Sequence, residues 1–92
     1  MDESRARMVR TELFKVIKNQ MREGNPPETK ETYSRLRAEG HSQKETMKML
    51  ASVLLCELNE MVKENRLYNE ATYIKALKAL PRLPWEEQND PS

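Results

Sequence analysis

The side chains in this chain best suited to chemistry are one histidine, His41, one cysteine, Cys56, and a run of carboxylates at Glu57, Glu60 and Glu64. A metal centre needs several such ligands to converge. His41 and Cys56 stand about four helical turns apart if the stretch between them is a helix. The Glu series has the outline of a di-iron carboxylate set, but that chemistry draws on Glu-x-x-His pairs, and no histidine falls at that spacing here. Cys56 has no histidine or other base near it to form a thiolate, so it reads as a small apolar side chain rather than a nucleophile. No catalytic, cofactor-binding or metal-ligating residue is assigned, and the expectation is a protein that is not an enzyme.

Charge gives a second kind of candidate. Lys plus Arg total 16 and Asp plus Glu total 15, a net charge of +1, which argues against a protein that coats nucleic acid or an anionic membrane. The cations are nonetheless unevenly placed. Arg7, Thr11, Lys15, Lys18 and Arg22 fall on the polar side of the first amphipathic stretch, and the four cations form a candidate anion-binding face. Any solvated helix carries a charged outer face, so the stripe is open to both readings.

The third kind of candidate is a surface for another protein. From Glu45 to Lys63 the apolar residues Met47, Leu50, Ala51, Leu54, Leu55, Leu58, Met61 and Val62 share one helical face, and Met49, Val53 and Cys56 form a second stripe nearly opposite. A helix with apolar residues on two sides needs partners on both. The six methionines favour adaptable contacts. Near the end of the chain, Pro81 to Trp85 (P-R-L-P-W) either folds back onto the core or docks elsewhere through its single Trp. Met49, Val53, Cys56 and Trp85 are therefore the candidate interaction residues, with a protein partner or a second copy of the chain as the occupant.

These residues are positioned by helices. The chain is 92 residues long, enough for one core and too short for a second, and 37% of it is hydrophobic with few β-branched or aromatic residues. Ala6, Val9, Leu13, Val16, Ile17 and Met21, with Phe14 on the flank, recur at helical spacing over Asp2 to Arg22, and Gly24 follows as a terminator. Pro26 and Pro27 break the chain and restart it, with Glu28 placed to reach back to a backbone donor. The second helix, Pro27 to about Glu39, has a poor apolar face of Tyr33, Leu36 and Ala38, and Glu31 and Arg35 at i, i+4.

Gly40 ends that helix, and Ser42 to Glu45 (S-Q-K-E) spells a capping box that opens the long central helix. Asn69 caps a fourth helix, with Tyr68 and Tyr73 spaced as a hydrophobic staple and Tyr73, Ile74, Leu77 and Leu80 as its buried face. Pro81 stops it. The reading is an all-α fold, a small bundle of four helices with a long central helix over residues 1–81. Residues 82–92 are expected to form an extended to disordered tail. One cysteine, a charged first ten residues and the lack of a long apolar run point to the cytoplasm and away from a membrane.

Two resemblances add to this. The stretch Leu36 to Leu50, L-R-A-E-G-H-S-Q-K-E-T-M-K-M-L, resembles the first half of the helix-turn-helix of LuxR-type and sigma-type DNA-binding domains, which implies DNA binding through the turn at Gly40 and the basic face of the first helix. Where that motif would turn into a recognition helix, this chain continues through Ala51, Ser52, Val53 and Leu54 without a break. DNA binding is therefore the alternative to a helical interaction or accessory protein without catalytic activity. The second resemblance joins N-P-P-E at Asn25 to Glu28, G-H-S-Q-K-E at Gly40 to Glu45, and Tyr73 to Pro81 with Leu77 and Leu80. Together these are similar to short helical domains in bacterial proteins of uncharacterised function, a likeness that implies a common fold and carries no active site.

Overall fold

A computed structural model describes residues 3–88. They form five helices: α1 (Glu3–Glu23), α2 (Pro27–Ala38), α3 (Gln43–Lys63), α4 (Glu70–Ala79) and α5 (Pro84–Gln88). The all-α expectation holds, with α5 added to the expected four. No helix among the described residues is long and apolar enough to cross a membrane.

The helix boundaries follow local chemistry. Gly24 (φ +66°) and Gly40 (φ +104°) take the left-handed backbone that ends a helix and that side chains with a Cβ resist. At Gly40 the next amide, of His41, donates back to the Leu36 carbonyl at 3.2 Å and closes the turn. The capping box forms as spelled: the Ser42 hydroxyl accepts from the Glu45 amide at 3.1 Å, and the Glu45 carboxylate accepts from the Ser42 amide at 2.9 Å. These bonds hold the Glu45 carboxyl below its ordinary range, the backbone bond from Ser42 contributing most. Asn69 caps α4 through the Thr72 amide at 3.1 Å, and the Tyr68 and Tyr73 rings meet edge to face at 5.8 Å, which is the staple.

Glu28 behaves differently from the expectation. The residue preceding α2 is Pro26, which has no N–H for the Glu28 carboxylate to reach back to, and no side chain caps this end. Glu28 Oε1 is instead buried without a hydrogen-bond partner. Arg35 also departs from its expected pairing with Glu31. Its guanidinium lies 3.3 Å from Glu39 and donates to the Leu77 and Lys78 carbonyls at 3.3 and 3.4 Å, tying α2 to the last turn of α4, where free carbonyls favour a cation.

The core gathers Leu13 and Ile17 of α1, Leu36 of α2, Leu50 and Leu54 of α3, and Tyr73, Leu77 and Leu80 at and beyond α4. Each fully buried Leu or Ile contributes about 2 kcal/mol. α2 and α3 each pack on three other helices, whereas α1 and α4 each pack on those two. The second helix is thus as central as the third. It buries Thr29 and Thr32 beside Leu36, and threonine does not register as an apolar stripe. The Thr29 and Tyr73 hydroxyls both donate to Gln20 Oε1, at 2.7 and 3.0 Å, so one oxygen joins α1, α2 and α4.

The buried face of α3 is rotated from the expected one. Val53 (1% exposed) and Glu57 (4%) lie inside with Met47, Leu50, Ala51 and Leu54. Leu55, Leu58 and Val62 are exposed. The rotation follows from α4, which returns along the Val53 and Glu57 side and draws that side of the helix inward. After Pro81 the chain makes a turn and enters α5, so the segment expected to be extended as far as Trp85 is partly helical, with Pro84 in a first-turn position that suits proline. The rest of the expected tail, residues 89–92, lies outside the described residues.

Candidate functional site

α3 and α4 are joined by a short connection and pack together as neighbours. Beside their contact runs a groove of about 710 Å³. α3 supplies Val53, Cys56, Glu57, Asn59 and Glu60, and Glu64, just past its last turn, lines the groove as well. α4 supplies Thr72, Tyr73, Lys75, Ala76 and Ala79, and its cap Asn69, Arg66 of the connection, Arg82, and Pro84 and Trp85 of α5 also line the groove.

Three of the four candidate interaction residues meet here. Val53 is in the floor, fully packed within the chain, and is not a free surface residue. Cys56 is half-buried, and Trp85 is 43% exposed. Met49 lies apart from the groove, partly buried against the core. The second stripe of α3 is therefore covered in part by α4, which the spacing of α4 alone did not reveal.

One wall of the groove is braced by an ion pair that sequence spacing did not suggest. The Glu57 carboxylate receives two hydrogen bonds from the Arg66 guanidinium, at 2.9 and 3.1 Å, and a third from the Asn69 amide at 3.0 Å. Arg66 also bonds the Glu64 carboxylate at 2.6 Å and the Leu67 carbonyl at 2.9 Å. Arg66 holds Glu57 below the ordinary carboxyl range against the opposing effect of burial. Arg66 sits beyond the end of α3, in the connection to α4, so no helical periodicity links it to Glu57.

The remaining electrostatics separate the rims. Glu60 is half-buried on the α3 side and Lys75 exposed on the α4 side, and neither forms an ion pair with a described residue. Burial, with a smaller effect of Glu60, pushes the Cys56 thiol up, which keeps it protonated at neutral pH and chemically quiet. Among the described residues, no three His, Cys, Asp or Glu side chains gather as a metal site would require.

The candidate anion-binding face stays dispersed along α1. Arg7 lies 3.6 Å from Glu3 and Lys15 3.3 Å from Glu12, both on the exposed surface, and Arg22 bonds Asn19 at 2.7 Å. Lys18 is exposed. α3 runs unbroken for 21 residues past the turn at Gly40, with no second turn to set off a recognition helix.

The site is thus a groove beside α3 and α4, lined by apolar and charged side chains, on an all-α scaffold. The chain matches no protein-family model, no curated protein and no solved structure.

Proposed function

We propose that this chain is a small helical accessory protein that binds another protein through the groove between α3 and α4, with no catalytic step of its own. The observation that carries the reading is the groove itself: Cys56 and Trp85, distant in sequence, both line one concave channel and keep part of their surface accessible there. Concave apolar channels with a few polar groups are the usual seat of recognition. The protonated thiol and the fully engaged Arg66 suit binding better than bond-making. The same reading places the protein in the cytoplasm, in keeping with its unpaired cysteine, and groups it with the short helical bacterial domains whose helix boundaries it resembles.

The test compares wild type with Thr72→Arg and Trp85→Ala, two changes at exposed groove positions. Each immobilised protein is presented to an extract of the source cell, after circular dichroism has shown that the variants fold. The expected result is a partner retained by wild type and lost from both variants. Equal retention by all three would remove the groove from the function.

A further inference from the structure

The first half of α1 stands clear of the core. From Glu3 to Glu12 no residue is buried, although Ala6 and Val9 continue, at spacings of three and four, the stripe that Leu13 and Ile17 carry into the core. Helices in proteins draw most of their stability from packing an amphipathic face. Here about three turns of that face are open, and Val9 is 38% exposed.

Charges flank the open face in a self-complementary order. Ala6, Val9 and Leu13 fit the a and d positions of a heptad, which sets Glu3 and Arg10 along one edge and Arg5 and Glu12 along the other, all four exposed. Suppose a second α1 lies antiparallel, so that Ala6 of each chain meets Val9 of the other. Each edge then faces the same edge of the second copy. Glu3 comes beside Arg10 of the second copy and Arg5 beside its Glu12, and two-fold symmetry repeats both pairs. Every cross-pair is of opposite sign. A parallel arrangement would instead set Arg5 against Arg10, two cations. In the antiparallel register the helices overlap from Glu3 to Glu12 and no further, so the second copy needs no space that the bundle already occupies.

The other contacts of these charges do not oppose the pairing. Arg7 lies 3.6 Å from Glu3 and Lys15 3.3 Å from Glu12, and Arg5 also has an interaction within its own chain. These groups are exposed, and exposed pairs are held weakly enough to be shared with a second chain. We propose that the chain forms a reversible antiparallel dimer through the first half of α1. The interface is separate from the α3–α4 groove, whose lining includes no residue of α1, and it stands without the function proposed for that groove. Two kinds of Ala–Val contact and four exposed ion pairs make a small interface, so the dissociation constant is expected at about 100 μM.

Sedimentation equilibrium of the full chain up to about 1 mM tests this, under reducing conditions that keep Cys56 from cross-linking. Wild type is expected to dimerise, less so at high salt. Arg5→Glu and Glu12→Arg each turn two of the four pairs into like charges and weaken association by about tenfold, while circular dichroism shows unchanged helix content. An equal mixture of the two variants regains wild-type association, because the acid of one then faces the base of the other across the two-fold axis. A wild type that stays monomeric at about 1 mM would overturn the proposal. So would single variants that associate as wild type does, the outcome expected if the exposed Leu55, Leu58 and Val62 of α3 made the contact instead. A mixture no better than either variant alone would also overturn it, since the pairs would then not lie between chains.

Discussion

Glu57 and Arg66 face each other through a two-pronged ion pair, with contacts of 2.9 and 3.1 Å, in which the carboxylate is 4% exposed and also accepts the amide that opens α4. One acid thus holds the end of α3, the connecting segment and the start of α4 in a single arrangement. Removing it leaves a guanidinium and a backbone donor short of their acceptor. Glu57→Ala is expected to lower stability by about 3 kcal/mol, the smaller end of the range for a broken buried pair because the Arg66 side reaches solvent. Urea denaturation followed by circular dichroism measures it.

The same pair sets an acid limit. Because the folded Glu57 titrates below its ordinary value of 4.5, the unfolded chain binds the proton first as pH falls. The stabilisation is therefore complete above a pH of about 5 and is lost as pH drops through the depressed folded value. Glu57→Gln, which does not titrate, should show a shallower loss of stability than wild type below that point. Parallel acid unfolding curves for the two proteins would contradict this.

Val53 and Val62 lie on the same helix and should respond in opposite ways to the same substitution. Val53 is 1% exposed and Val62 83%. A carboxylate at the first position is buried without a partner, and Val53→Glu should cost about 4 kcal/mol or more. Val62→Glu should fall within about 0.5 kcal/mol of wild type. Thermal melts of the two variants side by side settle which face of α3 is inside.

Ser42→Ala removes one half of the capping box at the start of α3. The expected loss is about 1 kcal/mol, with no change in the partner-binding assay, since Ser42 is not among the groove residues. A variant that kept full stability would show that the cap is redundant with the turn at Gly40.

Truncation after Leu83 removes α5 and with it one end of the groove, while Leu83, which packs against the core, is kept. Trp85 is only half-covered, so the loss should be about 1 kcal/mol, a fall in melting temperature of about 5 °C. Collapse of the cooperative transition would instead make α5 part of the core.

The sequence by itself determined the features that are local. Gly40, the S-Q-K-E box, Asn69 with Tyr68 and Tyr73, and Pro81 each act within a turn or two of their own position, and their hydrogen bonds and ring contact need no distant partner to be legible. The all-helical class follows from the same residues and from their apolar spacing. Tertiary structure decided which sides of those helices face inward. The returning α4 rotated the buried face of α3 toward Val53 and Glu57, left Leu55 and Leu58 outside, and gave α2 a central place through Thr29 and Thr32. The groove depends on the same step, because it brings Cys56 and Trp85 together across separate helices and pairs Glu57 with an arginine beyond the helix end. Periodicity reports that a helix has an apolar side; only the neighbours, competing for that side, choose the angle at which it is buried.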